Sequence, residues 1–191
     1  MDSPPELASL HRKLRSSDVP TQSRYIEIVD ASSDLELLVE SDPAYSSDPV
    51  QLGIGEEFAG FVVTGRLGSG GMATVYRARH PEQETVVALK LLNRGLVEDP
   101  RHLQRFRREA RLAARLRHQR IVAIHTYGEE NGCAYLTMQL VEGPTLDEVV
   151  QREGPLQPLR AAEVVTQIAQ AIDAAHSQRV VHRDLKPSNV M

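Results

Sequence analysis

Strand-like runs joined by short turns are the feature that most constrains how this chain can fold. Phe61 to Leu67, Thr74 to Arg79 and Val86 to Leu91 are rich in β-branched and aromatic residues, and glycine-rich or proline-containing turns separate them. Two similar runs, Ile121 to Tyr127 and Cys133 to Gln139, follow later and are joined by a polar turn. We therefore expect a five-stranded antiparallel sheet.

An arginine-rich helix is predicted between the third and fourth strands. Asp99 is suited to cap it and Pro100 fits its first position. Apolar residues then recur every three or four positions, at Leu103, Phe106, Ala110, Ala113 and Leu116. Glu109 is the only acid between Arg101 and Arg120, and its spacing places it beside this buried stripe.

The pattern becomes helical after Gly143-Pro144. Thr145 and Glu148 form a capping box for a short helix. A longer helix is predicted from about Leu159 to Ser177, with an apolar stripe of Val164, Val165, Ile168, Ala171, Ile172 and Ala175. The chain is thus predicted to be an α+β protein, with a strand-rich lobe at about 57–142, the start of a helical lobe at 143–191, and a ligand cleft between them.

The first 56 residues differ in composition from the rest. They contain eleven Asp and Glu against four Arg and Lys, a net charge of −7, so the remainder carries +3 of the total −4. Rich in Ser, Asp and Pro, this segment is predicted to be a mostly disordered tail. The strand-like run Tyr25 to Val29 keeps a docking segment as the alternative. A charge of +3 is too weak to indicate nucleic-acid binding.

No segment approaches the roughly 18 consecutive apolar residues that a membrane span requires, and the N-terminus does not look like a signal peptide. We expect a cytoplasmic protein without a membrane segment in this chain. The single cysteine, Cys133, is predicted to be a small buried residue.

A glycine-rich turn between the first two strands predicts close backbone approach to a ligand. Its amides are suited to phosphate oxygens, although such turns are common and the signal is weak alone. The residues are Leu67, Gly68, Ser69, Gly70, Gly71, Met72, Ala73, Thr74 and Val75.

Lys90 strengthens that interpretation. It ends the run Val87-Ala88-Leu89-Lys90, and burying a lysine is costly unless an anion meets it. Ala88 lies two residues earlier, so both side chains share one face of the strand. Glu109 is a candidate partner for Lys90. The alternatives are a lysine that reaches solvent at an edge, and a Glu109 that pairs with a nearby arginine.

The last residues are the strongest signal. Val181-His182-Arg183-Asp184-Leu185-Lys186-Pro187-Ser188-Asn189 resembles the catalytic loop of protein kinases of the eukaryotic (Hanks) type. The glycine-rich turn, the lysine strand and the helix glutamate occur in the order that this family uses. The segment Gly70 to Tyr76 is similar to bacterial serine/threonine kinases, and the resemblance covers about residues 57–191.

The resemblance implies ATP and Mg²⁺ as cofactors and proteins with Ser or Thr as substrates. Residues 67–75 would cover the nucleotide, and Lys90, paired to Glu109, would bind its phosphates. Asp184 would accept the substrate proton, Lys186 would lie near the transferred phosphate, and Asn189 would hold the metal ion. Met138 matches the gatekeeper position, followed by Gln139 and Val141 of the adenine-binding hinge. Arg183 resembles the arginine that pairs with a phosphorylated activation loop. The resemblance is also compatible with dimerisation of kinase domains.

Two departures from the family pattern affect these expectations. Ala73 stands where the third glycine of the loop is usual, which is a mild change. The sequence also ends at Met191, before any Asp-Phe-Gly segment, so we expect the chain alone to be nearly inactive. A truncated nucleotide-binding or regulatory docking fragment is the alternative. A lipid or small-molecule kinase is disfavoured, because those relatives usually lack Asp-Leu-Lys-Pro-x-Asn.

Overall fold

The computed structural model describes residues 51–70, 73–93 and 100–191. The predicted tail up to residue 50, the predicted helix cap Asp99 and two residues of the glycine-rich turn, Gly71 and Met72, lie outside the described residues.

A six-stranded antiparallel sheet forms the first lobe. Its strands are β1 (Glu57–Phe58), β2 (Phe61–Ser69), β3 (Ala73–Arg79), β4 (Val86–Leu92), β5 (Ile124–Glu130) and β6 (Cys133–Gln139). They lie in the order β1-β2-β3-β4-β6-β5. The five predicted strands are all present, and the two-residue β1 is an addition that was too short to show a period in the sequence.

The predicted bounds of β5 were wrong by three residues at each end. The Ile121 N–H donates to the carbonyl of His118 at 3.1 Å, which holds this part of the chain in a turn before the strand begins. At the far end Asn131 and Gly132 both have positive φ, at 52° and 72°. An Asn-Gly pair of this kind makes the tightest hairpin turn. The polar residues before it therefore continue the strand.

Residues 51–56, which the prediction placed in the tail, are attached to the sheet. The Leu52 N–H donates to the Tyr76 hydroxyl at 3.0 Å. The Gly55 N–H donates to the Val63 carbonyl at 2.8 Å, and the Val63 N–H donates to the Glu56 carbonyl at 2.9 Å. The described lobe therefore begins several residues before Phe58.

Strand β4 is buried on both faces. Val87, Leu89 and Leu91 pack on one side with Tyr76 and Cys133. Cys133 is buried and unpaired, as predicted. The opposite face is covered by helix α1 (Pro100–Ala113).

Helix α1 packs its apolar stripe on this second face of the sheet. Phe106, Ala110 and Ala113 lie in one cluster with Ala88 and Leu92 of β4. The helix was predicted to include Leu116, but it ends at Ala113. Leu116 is buried nonetheless, because the following turn brings it against Ile121 and the second lobe.

The second lobe begins with α2 (Leu146–Glu153) and α3 (Pro158–Ser177), followed by a short 3₁₀ helix, Pro187–Asn189. The capping box is confirmed, since the Glu148 N–H donates to Thr145 Oγ1 and the Thr145 N–H donates to the Glu148 carboxylate. On α3, Val164, Ala171 and Ala175 are buried as predicted. Val165 is 61% exposed, because adjacent helical residues point in different directions. None of the described helices is long and apolar enough to cross a membrane.

We predict that Thr145→Ala lowers the free energy of unfolding by about 1 kcal/mol, because the N-terminal N–H groups of α2 lose their side-chain acceptor. Urea denaturation followed by circular dichroism measures it. Thr166→Ala is the matched control, since that hydroxyl only donates back to the Ala162 carbonyl in the middle of α3. Equal losses for the two variants would contradict a stabilising role for the cap.

Candidate active site

The β2–β3 hairpin carries the predicted glycine-rich turn. Ser69 pairs with Thr74 and Gly68 with Val75. The Gly70 N–H donates to the Ala73 carbonyl at 2.9 Å, which extends the pairing of the two strands beyond Ser69 and Thr74. A Cβ atom added at Gly68 or Gly70 would meet no protein atom within 4 Å. These glycines are therefore not required for packing within the lobe, and they leave the backbone open to a ligand.

Ala88 and Lys90 lie on the same face of β4, as predicted. Ala88 and Leu92 both pack on the α1 side of the sheet, and Lys90 stands between them in the alternation of the strand. Lys90 pairs with Val75 of β3 and with Leu136 of β6. It is partly buried, so an anion that reaches it meets a charge with restricted access to water.

An apolar surface surrounds Ala88. Met138 lies directly opposite it on β6, and Val75 and Val141 pack against the same cluster. At the end of β6 the Gln139 N–H donates to the Ala123 carbonyl at 2.8 Å, which fixes the start of the segment between the lobes. Met138 and Val141, two of the predicted gatekeeper and hinge residues, thus lie in one apolar cluster with Ala88, while Gln139 pairs with Val87.

Glu109 has a partner that the sequence did not indicate. Its Oε1 accepts a hydrogen bond from a terminal nitrogen of Arg183 at 3.2 Å. The two side chains are 28% and 49% exposed, so this ion pair adds little stability by itself. It does connect α1 with the candidate catalytic loop. The pairing of Glu109 with Lys90 stays a prediction.

The candidate catalytic loop brings together the three side chains that were predicted to act there. The Lys186 ammonium contacts the Asp184 carboxylate. Asn189 Nδ2 donates to the Asp184 carbonyl at 2.8 Å and to its carboxylate at 3.3 Å. The amide nitrogen is used in this way, and Asn189 Oδ1 accepts no hydrogen bond from the described residues. A carboxylate, an ammonium and an amide oxygen are therefore concentrated within a few ångströms.

The backbone at Arg183 is unusual, with φ of 66°. Side chains other than glycine adopt this region rarely, and such strain persists only where the surroundings impose it. The neighbouring Asp184 N–H donates to the His182 carbonyl at 2.8 Å. His182 is 4% exposed, which suits its interpretation as a structural residue.

An anchor that sequence analysis missed holds the end of the loop. The Leu146 N–H donates to the Val190 carbonyl at 2.7 Å. The Val190 side chain is 1% exposed and packs with Leu146 and Val164. The only signal in the sequence was an apolar residue directly after Asn189. This contact fixes the loop to the helices of the second lobe.

A model of the protein kinase domain matches residues 61–191. The chain belongs to the protein kinase family. Serine/threonine-protein kinase PknH of Mycobacterium tuberculosis is 46% identical over 145 residues, which is 76% of this chain and 23% of that protein. Serine/threonine-protein kinase PknE of the same species is 42% identical over 137 residues, 72% of this chain and 24% of that protein.

Solved kinase structures agree with the fold. The Mycobacterium tuberculosis PknI kinase domain superposes with a TM-score of 0.65 at 35% identity, covering 73% of this chain and 57% of that one. This confirms the predicted kinase-like α+β architecture and the resemblance to bacterial serine/threonine kinases. The chain spans about a quarter of the length of the curated relatives it matches.

We predict that Val190→Ala destabilises this kinase domain by about 1–3 kcal/mol, because a buried side chain is lost at the anchor. Val165→Ala on the exposed side of α3 is the control and should change stability little. Urea denaturation gives the free energies, and hydrogen exchange of the Asn189 amide reports the loop itself. Faster exchange in the control alone would show that the loop is held elsewhere.

Proposed function

We propose that this kinase domain transfers the γ-phosphate of ATP to Ser or Thr hydroxyls of proteins. The observation that carries the proposal is the grouping of Asp184, Lys186 and Asn189 in one loop that the second lobe anchors. The names of the relatives and the family match support it. The cytoplasm is the compartment we propose, and dimerisation stays a prediction.

The nucleotide is assigned to the cleft beneath the β2–β3 hairpin. The apolar surface of Ala88, Met138 and Val141 suits an adenine ring, which is flat and needs a small residue beside it. Lys90, on the same strand face, would meet the α- and β-phosphates. The exposed backbone at Gly68 and Gly70 allows amide groups to approach the phosphate oxygens.

Asp184 is the proposed proton acceptor. As the substrate oxygen forms its bond to the γ-phosphorus, the bond from that phosphorus to the leaving ADP oxygen breaks, and the hydroxyl proton passes to the Asp184 carboxylate. Lys186 contacts this carboxylate and can interact with the negative charge of the transferred group. In serine/threonine kinases a lysine is usual at the position of Lys186, which favours these acceptors over tyrosine.

The loop offers a donor set that suits Mg²⁺. This ion prefers oxygen ligands and commonly uses one or two protein groups together with phosphates and water. Asn189 Oδ1 is an oxygen donor of that type, and it lies beside Asp184, the proposed proton acceptor. Within the described ranges no three His, Cys, Asp or Glu side chains form a metal cluster. Phosphate oxygens and water are the further ligands that Mg²⁺ commonly uses. When bound, the ion would neutralise charge on the phosphates.

The two lysines of the site are expected to respond differently in nucleotide binding. Lys90→Met should weaken binding of a fluorescent ATP analogue to residues 1–191 about 10- to 100-fold, because a charge-assisted contact to phosphate is lost. Lys186→Met should change the dissociation constant less than threefold, since Lys186 is placed at the transferred group. Equal affinity of wild type and Lys90→Met would contradict the assignment of Lys90.

Removing the proton acceptor should affect transfer and not binding. In the full-length protein, Asp184→Asn should lower transfer from radiolabelled ATP to a protein substrate by about 10²- to 10⁴-fold. Asp173→Asn, on the exposed side of α3, is the control with the same chemical change. Full activity in Asp184→Asn would exclude this carboxylate as the base.

A further inference from the structure

Arg77 lies on the face of the sheet that carries the proposed adenine surface. Along β3, Tyr76 and Ala78 pack in one core cluster, while Val75 packs with the α1 side of the sheet. Arg77 therefore shares the face of Val75, since side chains alternate along a strand. It also pairs directly with Ala88 of β4, and residues directly opposite each other in antiparallel strands project from one face.

Glu142 meets this arginine from the segment between the lobes. Arg77 Nη2 and Glu142 Oε1 form an ion pair at 3.2 Å. Ala88 pairs with Arg77 on one side and with Met138 on the other, so the ion pair lies on the side of Ala88 opposite to Met138. Glu142 directly follows Val141, the predicted hinge residue. The ion pair thus joins β3 to the hinge segment beside the proposed adenine surface.

The ion pair has little value for stability alone. The side chains of Arg77 and Glu142 are 45% and 74% exposed, and pairs of this kind add little to the free energy of unfolding. Within the described part of the chain neither side chain has another ionic partner. The exposed pair of Arg160 and Glu163 joins neighbours on one helix. The pair of Arg77 and Glu142 instead joins two distant segments and forms only while these keep their relative positions.

We propose that Arg77 and Glu142 form a clasp that slows the release of the bound adenine nucleotide. This inference rests on the proposed function, because it takes the surface around Ala88 as the adenine site. Arg77 belongs to the same continuous strand as Thr74, which pairs with Ser69 in the glycine-rich turn. Moving the hairpin away from the hinge segment therefore breaks the ion pair. Both residues act through the position of the hairpin, so they are positioning residues.

The rate of nucleotide release tests the clasp in the full-length protein. A fluorescent ATP analogue is displaced by excess ATP in a stopped-flow instrument. Arg77→Ala and Glu142→Ala should each raise the dissociation rate constant about two- to fivefold, the range expected for one exposed ion pair. The double variant should be no faster than either single variant, because both changes remove the same interaction. Additive effects of the two changes would overturn the pairing.

A charge swap and a matched control separate this contact from general damage to the fold. Arg77→Glu should release the analogue as fast as Arg77→Ala, and adding Glu142→Arg should restore slow release. Arg160→Ala removes an exposed ion pair of the same 3.2 Å length within α3 and should leave the rate unchanged. Circular dichroism verifies that each variant folds. Release rates that are equal in all variants would overturn the clasp.

Hydrogen exchange without nucleotide separates this inference from the proposed function. In Arg77→Ala the Gly70 amide, which donates to the Ala73 carbonyl, should exchange about two- to fivefold faster than in the wild type or in Arg160→Ala. Normal binding of the analogue, with release and exchange unchanged, would overturn the clasp and leave the proposed function in place. A wild type that binds no analogue would overturn the nucleotide site and, with it, the role of the clasp in release.

Discussion

Strand β4 is the element on which the rest of the structure depends, because both of its faces are buried and each face packs in a different core cluster. Val87, Leu89 and Leu91 join the sheet to one core, while Ala88 and Leu92 face α1. A shift of one residue would exchange these sets. The apolar residues therefore fix the register, and the register in turn places Lys90 on the face of the strand that carries Ala88.

A second constraint is the attachment of the candidate catalytic loop to the second lobe. Between Asp184 and Val190 the loop contains only one short 3₁₀ turn, so contacts from elsewhere must determine its shape. Asn189 binds the backbone and carboxylate of Asp184, and Val190 is held by Leu146. One residue positions the chemical group and the next attaches the loop to the core. Preorganisation of this kind reduces the cost of orienting groups for transfer.

Much of this arrangement could be predicted, because it follows from local patterns. Alternation in β4, the capping box at Thr145 and the motif around Asp184 are each contained in a few consecutive residues. The features that were not predicted depend on contacts between distant residues or on the conformation of the backbone. The bounds of β5 depend on the turn at His118 and on the Asn131-Gly132 hairpin, which override side-chain polarity. The contact between Leu146 and Val190 joins residues far apart in sequence, so no period reveals it.

The distribution of charge is a further feature that local sequence patterns do not reveal. From the sequence, the arginines of α1 resemble a solvated helix face, and Glu109 is a single acid among them. The fold turns several of them toward the loop that carries Arg179 and Arg183, both with positive φ. Only there do they become one concave field, and only there does Glu109 meet Arg183. The charge of each residue follows from its type. The electrostatic field that these charges produce together depends on which elements the fold brings close to one another.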